Sequence, residues 1–138
     1  MVLNLKERAI IIYNLLWKYD SYKNLQLKES IKNKIYFTDE EIPEITFATD
    51  YNNMSYAEFS SNADLITEKD YLFTDAEINY LAEKIMILNQ NQRLNGDGLT
   101  LYDKIENAFS QLQEAKGFIR TEPWYYIKPE NNLSHDKE

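Results

Sequence analysis

A single histidine, no cysteine and twenty-three carboxylates set the chemistry open to this chain of 138 residues. His135 stands in the polar run 131–138, which reads as a C-terminal tail. A Ser-His-Asp triad, a histidine general base or a three-histidine metal site would therefore have to be built on that tail. The absence of cysteine excludes thiol nucleophiles, Cys-based zinc sites and disulfides. Gly96 and Gly98 precede a helical pattern but lack the lysine and spacing of a phosphate loop and the third glycine of a dinucleotide fingerprint, so they read as a turn. Asn95, Asp97 and Asp103 beside them suggest calcium. With Gly96 in the sixth position of an EF-hand loop, however, the twelfth falls on Tyr102, where a bidentate glutamate is required. Paired carboxylates remain, since two buried acids suffice for glycoside chemistry or for holding Mg²⁺. Asp39, Glu40, Glu41, Asp75 and Glu77 already have another reason to be where they are, because a helix dipole favours negative charge in the first turn. No cofactor and no metal is expected, and a carboxylate-dependent enzyme stands only as a second alternative to binding.

The charges themselves are segregated. Between Tyr36 and Tyr80 lie eleven Asp or Glu residues and one lysine, Lys69, whereas residues 1–35 carry seven Lys or Arg against three acids. Such asymmetry marks a candidate interaction surface. The leading expectation is a non-enzymatic protein-binding module whose acidic, tyrosine-rich middle meets a basic protein. Its candidate residues are Asp50, Tyr51, Tyr56, Glu58, Phe59, Asp64, Glu68, Asp70 and Tyr71, carboxylates to steer the encounter and aromatic rings to anchor it. Inhibitors, immunity proteins and anti-defence factors of bacteria or phage work by this logic. An ordinary solvated acidic surface would give the same pattern. The alternative is nucleic-acid binding by a winged-helix-like unit through Lys18, Lys23, Lys28, Lys32 and Lys34, with Tyr19, Tyr22 and Tyr36 among them. Against it stand the net charge of −8 and the lack of arginine in that patch. These lysines also suit the chain's own acidic segment. A third surface, Trp124, Tyr125 and Tyr126 between Pro123 and Pro129, is expected to dock on the chain's own core, with a homodimer through a sheet edge left open.

The elements that must hold these residues are mainly helical. Apolar spacing predicts a central helix over about 5–19, a second over 23–35 with Leu27, Ile31 and Ile35 on one side, and a third over 75–92 striped by Ile78, Leu81, Ala82, Ile85 and Leu88. A fourth, over 100–116, opens at Thr100 and Asp103 and closes at Gly117. Phe37-Thr-Asp-Glu-Glu-Ile42 recurs as Phe73-Thr-Asp-Ala-Glu-Ile78. The likeness ends with the motif, and each copy is a capping box, Thr38 with Glu41 and Thr74 with Glu77. Pro43 limits the first copy to a short turn. Tyr56, Phe59, Ala63 and Ile66 suggest a modest amphipathic helix, and β-branched and aromatic residues suggest strands near 35–37, 45–49 and 124–127. The expected fold is mainly α, or α+β: one compact domain over 1–130 with four to five helices, a small β element and the polar tail 131–138. No apolar run approaches the roughly 20 residues that cross a bilayer. The N-terminus lacks the order of a secretion signal, so a cytoplasmic location is expected.

Overall fold

The computed structural model describes residues 1–51, 53–122 and 125–127. The predicted tail, His135, Trp124, and Pro123 and Pro129 beside it lie outside them. In chain order the elements are β1 (Val2–Leu3), α1 (Leu5–Ile10) running on as a π-helical segment Ile11–Leu15, and α2 (Tyr22–Ile35). A 3₁₀ turn Ile42–Glu44 then leads into β2 (Ile45–Thr49) and β3 (Ser55–Phe59), followed by β4 (Lys69–Asp70), α3 (Asp75–Gln90), α4 (Gly96–Ala115), β5 (Ile119–Glu122) and β6 (Tyr125–Ile127). The molecule is thus mainly α, four α-helices among the described residues, with three small antiparallel pairs, β1–β4, β2–β3 and β5–β6. No helix among the described residues is long and apolar enough to cross a membrane.

The core forms where the predicted stripes meet. Ile11 and Leu15 of the π segment, Ile31 and Ile35 of α2, Leu81 and Ile85 of α3, and Leu101 and Ile105 of α4 are fully buried in one cluster. Each such side chain contributes about 1.5–3 kcal/mol of burial free energy. A second, smaller cluster of Leu5, Ala9 and Phe37 receives Ile45, Ala57 and Phe59 and so seats the β2–β3 hairpin on α1.

The first helix is shorter than its apolar pattern predicts. Leu16 N–H bonds back to Ile11 O at 3.0 Å, a wider turn than the α-helix makes, and the helical segment stops there. The buried Tyr80 hydroxyl takes over the end, donating to Leu15 O at 3.2 Å and accepting from Trp17 N–H at 3.4 Å. Residues 35–37 form no strand: Tyr36 caps α2, its N–H on Lys32 O, and Phe37 turns into the core. The helix predicted from Tyr56 to Ile66 is β3 followed by a turn, because Ala57 and Phe59 alternate toward the core rather than repeating every three or four residues. The fourth helix begins at Gly96 with Asn95 as N-cap, earlier than Thr100, whose hydroxyl instead reaches Glu7 at 2.7 Å. It ends as predicted at Gly117, with φ of +88° and Phe118 N–H returning to Gln113 O at 3.0 Å.

Three capping boxes share a design. Asn4 with Glu7, Thr38 with Glu41 and Thr74 with Glu77 exchange backbone-to-side-chain bonds of 2.8–3.2 Å. Each glutamate also receives a cation from a distant element: Glu7 from Lys104 of α4 at 2.8 Å, Glu41 from Arg8 of α1, and Glu77 from Lys34 of α2 at 2.5 Å. A local helix-start signal is thereby turned into a tertiary lock. Burial pushes the Glu41 and Glu77 carboxyls up, but the bonds and charges of Arg8 and Lys34, with the cap N–H groups, outweigh it and leave both below the usual range.

Candidate protein-interaction surface

The hairpin is the element that stands off the helical core. Its paired strands run from Ile45 opposite Phe59 to Thr49 opposite Ser55. One further bond extends the ladder at each end, Ser60 N–H to Glu44 O at 2.9 Å and Asp50 N–H to Met54 O at 3.0 Å. Asp50 organises the tip, its carboxylate accepting Met54 N–H at 2.9 Å and its carbonyl accepting Asn53 N–H at 3.0 Å. Asn53 sits at φ +62°, a left-handed conformation that asparagine tolerates. This leaves Tyr51 94% exposed at the apex.

Alternation divides the two strands into faces. Ile45, Ala57 and Phe59 turn toward the small cluster, and Phe47 on the same face meets Tyr13 edge-on at 5.1 Å between ring centroids while staying 57% exposed. Tyr13 in turn touches Phe37, and Phe37 touches Tyr36, so a run of four rings in contact ends in solvent on both sides. On the opposite face Thr46 lies beside Glu58 and Ala48 beside Tyr56. Burial, with Tyr36 nearby, pushes the Tyr13 phenol up.

Not all of the predicted surface gathers there. Tyr51, Tyr56 and Glu58 are on the hairpin and open to solvent, and Asp50 is at its tip. Phe59 faces inward as a core contact. Asp64 is exposed in the following turn, where the Thr67 hydroxyl and the backbone N–H groups of Thr67 and Ile66 lower its pKa. Glu68 is held by Lys104 at 2.6 Å and Asp70 by the N-terminal ammonium at 3.0 Å. Tyr71 is half-buried beneath Arg8, whose guanidinium lies 5.8 Å from the ring centroid. Of the eleven acids between Tyr36 and Tyr80, then, Glu41, Glu68, Asp70 and Glu77 serve ion pairs within the fold. Asp39, Glu40, Glu44, Glu58, Asp64 and Asp75 form none with the described residues. The first four lie in or just before the hairpin, a placement that charge counting alone does not reveal.

The basic patch is partly committed elsewhere. Lys34 pairs with Glu77, and Lys18 and Lys32 lie 5.4 Å from the ring centroids of Tyr19 and Tyr36. Lys23 is exposed and Lys28 half-buried on α2. Sequence reasoning missed the buried Lys84, 3% exposed on α3, which sits 3.5 Å from the Trp17 ring centroid and 2.8 Å from Asp20. The bond from Lys84, aided by Asn24 and the Ser21 N–H, lowers the Asp20 pKa to about 2.

Between β3 and the α3–α4 turn a cleft of about 270 Å³ is lined by Asp50, Met54, Tyr56, Arg93, Leu94 and Asp97, among others. Arg93 Nη1 lies 3.2 Å from Met54 Sδ, and Asp97 pairs with Lys6 at 3.0 Å. Among the described residues no three His, Asp or Glu side chains converge as a metal site. Tyr126 of the C-terminal aromatic segment lies on α4, edge-on to Phe109 at 5.4 Å and bonded to Ser110. The chain matches no protein-family model, no curated protein and no solved structure.

Proposed function

We propose that this chain is a non-enzymatic binding module that takes a basic protein partner against the β2–β3 hairpin. It would act in the cytoplasm of a bacterium or a phage-infected cell as an inhibitor, immunity or anti-defence factor. One observation carries the reading: the hairpin combines exposed Tyr51, Phe47 and Tyr56 with Glu44 and Glu58, carboxylates that no cation of the described fold neutralises. Aromatic rings give a partner large contact area at low conformational cost, and unpaired carboxylates steer a cationic surface toward them. The binding set is thereby narrowed to Phe47, Tyr51, Tyr56, Glu44 and Glu58, with Asp39, Glu40, Asp50 and Asp64 around it.

The test is capture from host lysate by the tagged protein and by a Tyr51→Ala/Glu58→Lys variant, with and without nuclease. A protein retained by the wild type after nuclease, released by salt and lost by the variant is the expected result. Equal retention by both proteins would count against the hairpin. Retention that disappears with nuclease would move the function to Lys18, Lys23, Lys28 and Lys32.

A further inference from the structure

We infer that the partner binds by adding a strand to the outer edge of β2, an inference that rests on the basic-partner reading above. The hairpin is two-stranded, so each strand has an edge not paired to the other. On the β3 side, α1 and the π segment lie against the strand, and Asn14 Nδ2 donates to Ser55 O at 2.8 Å, taking up an outward carbonyl. On the β2 side nothing comparable occurs among the described residues. The terminal ladder bonds at Glu44–Ser60 and Asp50–Met54 fix the alternation, so the N–H and C=O groups of Ile45, Phe47 and Thr49 point away from β3. Ile45 N–H closes the preceding 3₁₀ turn on Ile42 O. Both backbone groups of Phe47 and of Thr49 are left with no partner among the described residues.

The sequence of this edge is also unguarded. Natural edge strands are blunted by lysine, proline or inward charges, yet Ile45-Thr-Phe-Ala-Thr49 contains none of these and is rich in β-forming side chains. The charges sit at its two ends, and they decide which strand fits. A second copy of the chain, paired antiparallel about Phe47, would set Glu44 against Asp50 at both ends, a like-charge opposition that disfavours the pairing. An extended segment with Lys or Arg six positions apart would instead meet Glu44 and Asp50 with opposite charge. A β-branched or aromatic residue midway would lie against Phe47 and the Tyr13 ring behind it. The occupant is therefore an extended, basic-flanked strand of the partner.

The probe is an end-blocked heptapeptide with lysine at both ends, a threonine beside each and three valines between, added to isotope-labelled protein and followed through backbone amide shifts. Saturable shifts at Phe47 and Thr49 are expected. N-methylation of the central valine, which removes the donor facing Phe47 O, is expected to weaken binding about tenfold, the worth of one lost hydrogen bond. Thr49→Pro removes an outward donor without touching a bond to β3 and is expected to do the same while far-UV circular dichroism stays unchanged. If the N-methylated peptide binds as well as the parent while a peptide with glutamate ends does not bind, strand addition is overturned and the acidic surface stands. If the glutamate-ended peptide binds as tightly as the lysine one, the basic-partner reading is overturned instead. No shift with any peptide, or self-association through β2 in sedimentation, overturns the inference.

Discussion

Glu77→Gln isolates the charge in one of the three capped locks. The Glu77 side chain is 1% exposed and accepts the Thr74 N–H, the Ser30 hydroxyl and the Lys34 ammonium. Glutamine keeps the shape and its oxygen still accepts from Thr74, but it removes the negative charge facing Lys34 and sets an NH₂ group opposite the Ser30 hydroxyl. Breaking a fully buried pair costs about 3–5 kcal/mol. The Lys34 side chain is 33% exposed, so its ammonium can turn to water once released, which sets the loss nearer the worth of one charge-assisted bond, about 2 kcal/mol. Urea unfolding should read that difference directly, with a melting temperature lower by about 6–8 °C. Lys34→Met should cost more, about 3 kcal/mol, because the group then left without its counter-ion is the buried one. Combining both changes should recover part of the loss. The pH dependence carries a sign. The Glu77 pKa in the fold lies below the ordinary 4.5, so its stabilisation is complete above that value and fades as pH falls through the lowered one. The gap between wild type and Glu77→Gln should be full at neutral pH and close in acid. Single variants within about 0.5 kcal/mol of wild type, or a gap that widens in acid, would refute the lock.

Three further outcomes follow from single contacts. Asp20→Asn should destabilise the protein at neutral pH, and the difference should vanish between the ordinary 3.8 and about 2, the span over which the wild-type carboxylate loses its advantage; acid titration of unfolding checks it. Tyr80→Phe removes the hydroxyl that ends the first helix and should cost about 1–1.5 kcal/mol in urea unfolding, with the bonds to Leu15 O and Trp17 N–H both lost. Gly117→Ala meets open space but holds φ at +88°, so backbone strain alone should cost about 1 kcal/mol by thermal unfolding.

What the sequence made legible were signals that act within a few residues. The capping boxes at Thr38 and Thr74, the left-handed Gly117 and the apolar stripe of α3 are all local, and all are found in place. The box at Asn4 and Glu7 obeys the same rule, but the apolar run that follows it is the stronger pattern in that stretch. The end of that first helix was not legible, because it depends on the Tyr80 hydroxyl arriving from sixty-five residues away. Nor was β3, since Tyr56 and Phe59 suit a helical turn as well as a strand until Ala48 and Ile45 pair with them. The candidate surface divides in the same way. Charge counting located the acidic region but not its internal partners. Glu68 and Asp70 proved to be structural ion pairs because Lys104 and the N-terminal ammonium lie far from them in sequence.

The most direct measurement is salt-dependent capture of a nuclease-resistant protein partner by the wild type, by Tyr51→Ala and by Glu44→Lys/Glu58→Lys, each first shown to be folded. The account predicts a partner held at low salt, released at high salt and lost in both hairpin variants, whose stability should stay within about 0.5 kcal/mol of wild type. Undiminished capture by the folded variants would contradict it.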